Sequence, residues 1–354
     1  MVKKKSNLKA DHFDYMLPKE FIAQNPASPR DSCKLLIYDS KKDKVYHEKF
    51  YNIGKYLNKG DCLVVNSSKV IPARILFDNN KKEIFLLKKL TEDSFNAMIR
   101  PGKAFKLHSK VQIIKNFYAE VVKVLNDGTR NLRFFYEGVG DSEIQEYLSK
   151  IGQLPLPPYI TDCKNPNLYQ TIYAKEAGSV ASPTAGLHFT KRLISKLKNS
   201  GVGFEEIFLH VGLGTFLPVK TEFISDHKMH SEEFVFPKDT ANKLNRIKSK
   251  KNRIIAVGTT SVRVLETCFD NKKGFIPKSG ETDIFIYPNM YKWKVVDGLI
   301  TNFHLPKSTL LMLVSSFLEH KGVKDPIKKL LDLYEIAKKN KYRFYSFGDS
   351  MFII

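Results

Sequence analysis

The chain has 354 residues, of which 42% are hydrophobic, with 25 Phe, 16 Tyr and one Trp. This length and apolar content allow one large domain and a smaller one, and they exclude a disordered or low-complexity chain. The formal net charge is +21, from 58 Lys and Arg against 37 Asp and Glu. This excess favours a polyanionic partner such as nucleic acid, although lysines scattered over solvated faces give the same total.

The basic start of the chain is followed by polar residues, and no apolar run approaches membrane-spanning length. We therefore expect a cytoplasmic protein without membrane contact. Cys33, Cys62, Cys163 and Cys268 are far apart and form no C-x-x-C pair. They indicate free buried thiols, and neither a disulfide framework nor a thiolate metal site.

The first seventy residues have mixed α and β character. Their pattern predicts a short helix at 18–24, a hairpin that joins 34–38 to 45–47, and a strand at 62–65.

Six short apolar runs follow between residues 75 and 136, with turn sequences at 78–81 and 126–129. No helical stretch separates these runs. Short strands at hairpin spacing predict a small antiparallel β-barrel.

After residue 150, strands and helices alternate again. A helix is expected from Thr190 to Gly201, then a strand at 204–210, and later a strand at 253–257 that leads directly into another helix.

The predicted fold is an α/β main domain, in which helices flank a mixed sheet, with an inserted barrel. The main domain is discontinuous and comprises residues 1–72 and 150–354, while residues 73–149 form the small antiparallel β-barrel domain.

The segment 258–263 lies where a strand becomes a helix, which is where open α/β sheets bind anions and nucleosides. It matches neither the dinucleotide fingerprint nor the P-loop, so ATP or dinucleotide binding is not supported. The alternative is a structural helix start in which Arg263 pairs with Glu266.

A second helix start follows the polar cluster 301–309. Pro306 suits the first helical turn, Ser308 and Thr309 suit the capping positions, and the positive helix end favours an anionic ligand. An ordinary capped core helix, in which His304 bonds a backbone carbonyl, is the alternative.

Two further segments, 178–189 and 209–216, place His188 and His210 beside small residues. Small residues let the backbone approach a flat ligand closely, and a desolvated imidazole can act as an acid or a base. Singly, each is more often a core histidine. With His304 on a third such loop, they predict a shared pocket.

The segment 227–233 contains two His and two Glu, a composition found at zinc sites. Its spacing is not H-E-x-x-H, and no third ligand is marked, so we expect no metal.

Nine segments occur in an order that resembles the S-adenosylmethionine:tRNA ribosyltransferase-isomerase family of queuosine biosynthesis. The match spans the chain, although 66–69 and 33–34 depart from the family pattern. The segments are 13–18, 71–74, 100–103, 169–171, 182–190, 210–216, 227–232, 258–263 and 301–311.

The resemblance implies an α/β domain with an inserted barrel. It also implies that the ribosyl part of S-adenosylmethionine, the co-substrate, moves onto 7-aminomethyl-7-deazaguanine at the tRNA wobble position, giving epoxyqueuosine. Adenine and methionine are released, and no metal is required. A base must remove a proton acidified by the sulfonium, and adenine must be hydrogen-bonded or protonated as it leaves.

By this resemblance the proton-transfer groups are expected among His188, His210, His230 and His304, with Glu232 orienting one of them. The segments 259–261 and 307–309 are candidates for binding the methionine carboxylate or the ribose hydroxyls. The substrate-binding candidates are Thr184, Gly186, Gly212, Gly214, Thr215, Thr259, Thr260, Ser261, Arg263, Asn302, Lys307, Ser308 and Thr309.

The resemblance also gives the basic excess a partner, the tRNA anticodon loop. Its bases can be splayed into a pocket, while Arg74, Arg100 and Lys103 hold phosphates. The enzyme is expected to be a monomer.

Two rival functions are an S-adenosylmethionine-dependent RNA methyltransferase and a non-catalytic RNA-binding protein. The first predicts S-adenosylhomocysteine as product, and the sequence lacks the early Gly-rich turn of common methyltransferases. The second leaves the small-residue His segments unexplained. Hydrolase readings are weaker, because no G-x-S-x-G elbow is present.

Overall fold

The structure is a computed structural model that describes residues 7–137, 144–212, 214 and 218–354. The chain divides into two compact units. The first comprises Met1–Ser68, Pro157–Glu176 and Ser182–Ile354, and the second comprises Lys69–Leu156 and Ala177–Ala181. The division into domains at residues 72 and 150 remains a proposal, because compactness does not show that a segment folds alone.

The described residues form strands and helices that we number along the chain. The strands are β1 (Lys34–Asp39), β2 (Lys44–Lys49), β3 (Cys62–Asn66), β4 (Ser68–Val70), β5 (Arg74–Phe77), β6 (Lys82–Lys89), β7 (Ser94–Arg100), β8 (Lys110–Ile114), β9 (Phe117–Val124), β10 (Arg130–Tyr136), β11 (Glu176–Ser179), β12 (Gly203–Leu209), β13 (Glu232–Phe236), β14 (Ile254–Val257), β15 (Phe269–Asp270), β16 (Gly274–Phe275), β17 (Lys278–Thr282), β18 (Gly298–Asn302) and β19 (Ser350–Ile353). The α-helices are α1 (Ile144–Ile151), α2 (Lys191–Asn199), α3 (Lys238–Ser249), α4 (Thr259–Cys268), α5 (Thr309–His320) and α6 (Pro326–Lys339).

The first unit contains a nine-stranded sheet in the order β17-β13-β12-β3-β14-β18-β19-β1-β2. The four strands β12, β3, β14 and β18 are parallel, whereas β19 is antiparallel to β18 and parallel to β1. Every residue of β3, β14 and β18 is buried, as expected of strands covered on both faces. The predicted mixed sheet with flanking helices is confirmed.

One face of this sheet packs on α2. Leu63 and Val65 of β3 belong to the same buried cluster as Leu193 and Leu197 of α2. Both pairs follow from periodicity, because residues two apart share a face of a strand and residues four apart share a face of a helix. The helix α4 also contacts β3, β12 and β14.

The second unit contains a six-stranded antiparallel sheet in the order β5-β6-β7-β10-β9-β8. Burial alternates along its strands, as at Val111 and Ile113 of β8, and its core includes the stacked rings of Phe117 and Phe134. The six predicted strands are present. Their closure into a barrel remains a prediction, because the recorded strand order leaves β5 and β8 at the two edges.

The predicted helices differ from the structure in two places. Thr190 caps α2 by accepting the N–H of Leu193 (3.2 Å), as expected. The placement of Pro306 in the first turn of α5 is wrong, because Ser308 is the N-cap and accepts the N–H of Leu311 (3.2 Å). The helix at 18–24 is reduced to the 3-10 turn Lys19–Phe21.

The buried carboxylate of Glu266 on α4 fixes the loop that leads into β18. Its Oε2 accepts from Tyr291 Oη (2.9 Å) and Lys294 N (3.0 Å), and its Oε1 accepts from Val295 N (3.1 Å) and Val296 N (3.3 Å). Burial raises the pKa of this carboxyl group. Arg263 does not pair with Glu266, contrary to the structural alternative considered above, because these donors surround Glu266.

We predict that Glu266→Gln lowers the free energy of unfolding by about 1–3 kcal/mol, because the amide NH₂ must face two donors. Urea titration followed by the fluorescence of Trp293, the only Trp, measures this change. Glu335→Gln removes an exposed carboxylate and is the control, with a change within about 0.5 kcal/mol. Equal effects of the two substitutions would contradict the role given to Glu266.

Candidate active site

The carboxyl ends of the four parallel strands meet at one edge of the sheet in the first unit. The chain leaves β12 toward Val211, β14 at Gly258 and β18 at Asn302. A hollow of about 530 Å³, open solvent included, lies here, and we call it the first hollow. Open α/β sheets bind their ligands at this edge. It is lined by Tyr159, Ser182, Pro183, Thr184, Ala185, Val211, Gly258, Thr259, Thr260, Thr301, Asn302, Phe303, His304, Leu305, Leu310, Tyr345 and Ser346.

A second hollow of about 560 Å³, open solvent included, adjoins the first. The two share Thr259, Thr260 and Leu310 as a common wall. Two adjoining compartments suit a ligand with two chemically different ends. The second hollow is lined by Gly214, His227, Met229, His230, Glu232, Thr259, Thr260, Arg263, Ile284, Phe285, Ile286, Thr309, Leu310 and Leu313.

The common wall is the start of α4. Gly258 precedes this helix with φ +86°, a left-handed conformation that favours glycine. The N–H groups of the first helical residues, Thr259 and Thr260, have no partner within the helix, and the helix end carries a partial positive charge. The predicted anion-binding character of this segment therefore has a geometric basis.

Three hydrogen bonds fix the side-chain amide of Asn302 in the first hollow. Its Nδ2 donates to the carbonyl of Tyr345 (3.3 Å) and approaches Nε2 of His188 (3.2 Å), and its Oδ1 accepts from Thr184 Oγ1 (2.9 Å). The Tyr345 carbonyl can only accept, so the atom facing it is Nδ2. Asn302 thus has only its Oδ1 left for a ligand.

His188 is a buried support behind Asn302. Because Asn302 donates to Nε2, the proton of the imidazole lies on Nδ1, which donates to Cys33 Sγ (3.3 Å). Burial, reinforced by Arg343 and Arg30, lowers the pKa of His188 to about 3. Burial also raises the pKa of the Cys33 thiol, which stays neutral.

His304 reaches the first hollow itself. Its Nε2 lies 2.7 Å from Thr301 Oγ1, its backbone N–H donates to Tyr334 Oη (2.9 Å), and its carbonyl accepts from Tyr15 Oη. Burial lowers the pKa of the imidazole to about 3. His304 is therefore a neutral group that can exchange hydrogen bonds with a ligand.

Glu232 forms a buried ion pair with Arg263 at the second hollow. Its other oxygen, Oε1, accepts the N–H of Gly212 (2.8 Å), and Arg263 Nη2 donates to the carbonyl of Thr282 (2.9 Å). Glu232 thus contacts a guanidinium and a backbone amide. Its expected role of orienting a His stays a prediction.

The other two His differ in position. His230 is exposed, lines the second hollow and packs on Gly214, where an added Cβ would lie 2.4 Å from the ring. His210 follows β12 outside the lining of both hollows, and burial lowers its pKa. Its Nδ1 has no hydrogen-bond partner in the part of the chain that the structure describes.

The remaining candidates differ in what they contact. Thr309 lines the second hollow, while Ser308 caps α5 and Ser261 donates to the Val257 carbonyl. Lys307 pairs with Asp11 and Asp14 instead of lining a hollow. Gly186 faces the Tyr173 hydroxyl, which an added Cβ would meet at 1.9 Å. Thr215 lies outside the described residues.

Several lining residues were missed at the sequence level. Tyr159 and Tyr345 face each other with ring centroids 4.7 Å apart, and Tyr159 Oη lies 2.7 Å from Ser346 Oγ. Phe303 adds a third ring. Aromatic faces suit a planar base. In the sequence these residues appear only as aromatic residues next to turns. Such residues are common in protein cores, so this signal did not mark them as part of a ligand site.

Arg74, Arg100 and Lys103 belong to the second unit. Arg74 of β5 and Arg100 of β7 flank β6, and both approach Glu83 of that strand, with Nε to carboxylate distances of 2.7 and 3.7 Å. Lys103 follows in the 3-10 turn Gly102–Ala104. Two guanidinium groups share the single carboxylate of Glu83, which leaves a net positive charge that is available to phosphate.

Three further features of the described residues bear on metal binding, membrane spanning and the state of the cysteines. Within the described residues, no three His, Cys, Asp or Glu side chains are grouped so that they could hold a metal ion. Among the same residues, no helix combines the length and the apolar character needed to cross a bilayer. All four cysteines are free; Cys33, Cys62 and Cys268 are buried, and Cys163 is half-buried.

The fold is that of an α/β enzyme, and its two hollows lie at the carboxyl edge of a mixed sheet, where open α/β sheets commonly bind ligands. The model of the family described as queuosine biosynthesis protein matches residues 10–353, and the chain belongs to this family.

Relatives with defined names match over nearly the whole chain. The chain is 48% identical over 357 residues to the S-adenosylmethionine:tRNA ribosyltransferase-isomerase of Fusobacterium nucleatum, covering 99% of this chain and 98% of that protein. It is 47% identical over 351 residues to the protein of the same name from Finegoldia magna, covering 98% of both. A crystal structure of an S-adenosylmethionine tRNA ribosyltransferase from Thermotoga maritima is similar with a TM-score of 0.53 and 36% identity, and the match covers 97% of this chain and all of that one.

We predict that His188→Gln weakens the pH dependence of stability. The pKa of His188 is lowered from 6.5 to about 3 in the folded protein, so its neutral form stabilises the fold above pH 6.5, and this contribution is lost as the pH falls toward 3. The loss is about 2 kcal/mol between pH 7 and pH 5. Glutamine keeps an acceptor for Asn302 but does not titrate, so the variant should lose about 2 kcal/mol less than the wild type.

Urea unfolding at pH 7 and pH 5, followed by Trp293 fluorescence, gives the comparison. The exposed His12→Gln serves as the control and should follow the wild type. Parallel pH dependence of His188→Gln and wild type would contradict the buried neutral state of His188.

Proposed function

We propose that this chain transfers and isomerises the ribosyl moiety of S-adenosylmethionine onto 7-aminomethyl-7-deazaguanine at the tRNA wobble position. The products are epoxyqueuosine in tRNA, adenine and methionine. The observation that carries the proposal is the pair of adjoining hollows at the carboxyl edge of the sheet, in a chain whose full-length relatives bear the name of this activity.

The first hollow is proposed to hold the adenine and ribose of the co-substrate. The rings of Tyr159, Tyr345 and Phe303 suit the purine face, and Asn302 Oδ1 can accept a hydrogen bond from the amino group of the base. A neutral His304 can hold the leaving adenine by a hydrogen bond without carrying a charge into the dry site.

The proton next to the sulfonium needs an acceptor. Among the four proposed His, His230 lines the second hollow and is exposed, whereas His188 has recorded partners at both ring nitrogens. His230 is therefore the proposed proton acceptor, and His188 holds Asn302 in place. Glu232 fixes Arg263 and the Gly212 backbone in this proposal, and its orienting of one of the His stays part of the proposal.

The tRNA is proposed to bind through its anticodon loop, with phosphates on the surface formed by Arg74, Arg100 and Lys103 of the second unit. Residues 73–149 are proposed to form the inserted barrel domain, and residues 1–72 and 150–354 the catalytic domain. The net charge of +21 supports a polyanionic substrate. A cytoplasmic monomer that needs no metal is part of the same proposal.

The reaction is tested with the purified chain, S-adenosylmethionine and tRNA that carries the 7-aminomethyl base. We expect free adenine, free methionine and a mass gain on the modified nucleoside, with tRNA lacking that base as the control. S-adenosylhomocysteine as the product would instead show a methyltransferase, and tRNA binding without consumption of the co-substrate would show a binding protein.

In this assay His304→Gln should reduce adenine release by about 10²–10⁴-fold, because a proton-exchanging group beside the leaving base is lost. His320→Gln, on the exposed end of α5 and outside both hollows, is the matched control and should leave the rate unchanged. A rate for His304→Gln within twofold of wild type would remove His304 from the proposal.

The Arg100→Ala variant should bind tRNA more weakly and with less sensitivity to salt. Loss of one phosphate contact lowers the slope of log affinity against log salt by about 1. Filter binding or anisotropy between low and physiological salt measures the slope. Arg133→Ala, which removes an arginine paired with Asp93 in the same sheet, is the control. Identical slopes for Arg100→Ala and wild type would contradict the assignment of this surface.

A further inference from the structure

The second hollow has charges of both signs that the proposed transfer step does not use directly. Arg263 is 6% exposed and Glu232 is 7% exposed, and they pair with each other at the wall of the hollow. Buried charges are stable only when they are paired and hydrogen-bonded. A ligand that enters beside this pair must offer a charge to each partner or none to either.

A buried hydroxyl in the same wall has no partner. Thr260 is 8% exposed and lines both hollows, and within residues 7–137, 144–212, 214 and 218–354 its Oγ1 meets no hydrogen-bond partner. The same holds for Nε of Arg263. Such groups destabilise the fold unless a ligand satisfies them, so they mark where a polar ligand group binds.

Two helix starts meet at this point. Thr260 is the second residue of α4, and Thr309 is the first residue of α5; both line the second hollow. Their helices present unpaired backbone N–H groups and the positive ends of two dipoles. Together with the partnerless Thr260 hydroxyl, they form a site for one carboxylate.

The rest of the second hollow is apolar. Met229, Ile284, Phe285 and Leu313 contribute to its lining. An unbranched hydrocarbon chain with a soft sulfur atom suits such a surface. The charges and the apolar wall together describe an amino acid with a thioether or sulfonium side chain.

We infer that the second hollow holds the α-amino-acid end of the co-substrate and, after the reaction, free L-methionine. The carboxylate binds the two helix starts and the Thr260 hydroxyl, and the ammonium group binds beside Glu232. A phosphate group does not fit, because it would carry negative charge next to Glu232 without offering it a cation. This assignment rests on the proposed function and deepens it.

The ligand side of the inference is tested by equilibrium binding of L-methionine to the wild-type chain, by calorimetry or by competition with S-adenosylmethionine. L-methioninamide lacks the carboxylate and 4-(methylthio)butanoate lacks the ammonium group, and each should bind at least tenfold more weakly than L-methionine. Equal binding of the three compounds would overturn the inference.

The protein side is tested with Thr260→Val, which removes the hydroxyl and keeps the shape. Binding of L-methionine and S-adenosylmethionine should weaken about tenfold, while binding of adenine is unchanged and the melting temperature is unchanged or higher. Thr171→Val removes another buried hydroxyl that has no partner among the described residues and lies outside both hollows, so it is the matched control with unchanged binding.

Thr309→Val provides a second variant at the other helix start, in case Thr260→Val does not fold, and it should also weaken methionine binding.

Adenine release by the wild type is measured in parallel. If the wild type turns over and both variants bind methionine as tightly as the wild type does, the site assignment is overturned and the proposed function stands. Specific methionine binding without turnover would support the site and contradict the proposed function.

Discussion

The fixed side-chain amide of Asn302 is the interaction on which the first hollow depends. Through its three hydrogen bonds it joins the end of β18 to the 3-10 turn that contains Thr184 and to the segment that precedes β19. The orientation is enforced from behind by His188, which must be neutral to accept the amide proton. Burial keeps the imidazole of His188 neutral, because it lowers the pKa of this group. A core histidine therefore sets the hydrogen-bonding character of a surface that it does not reach.

The site also shows a conflict between stability and function. Ser182 and Thr260 line the hollows, and their buried hydroxyls have no partner among the residues that the structure describes. A sequence selected for stability alone would place alanine or valine there. The buried pair of Arg263 and Glu232 follows the same logic, because an apolar pair of similar volume is often at least as stable. In the proposed function a ligand completes the hydrogen bonding of these polar groups.

Much of the fold could be predicted from the sequence, because strand alternation and helix caps are local signals. The hairpin of β1 and β2, the six strands of the second unit and the cap at Thr190 all arise from residues near one another in the chain. The position of Pro306 was wrong because proline at a helix start and proline just before an N-cap look alike until the capping hydroxyl of Ser308 is seen.

The candidate site was predictable only in part, for a physical reason. The sequence marked helix starts and small-residue segments, and these do converge at one edge of the sheet. It could not show that His188 faces Asn302 and Cys33, that Glu232 pairs with Arg263, or that the polar segments line two hollows instead of one. Such pairings connect residues far apart in the chain, and no local pattern encodes them.

The order of strands in the large sheet has a consequence for synthesis of the protein. In the strand order of the described residues, the β1–β2 hairpin pairs with the rest of the sheet through β19, with Leu35 beside Ser350. During translation the hairpin can form early, but the strand with which it pairs is missing until the ribosome has synthesised β19. The segment before β19 contributes Tyr345 to the first hollow, so a nascent chain that lacks this region has neither a finished sheet nor a finished site.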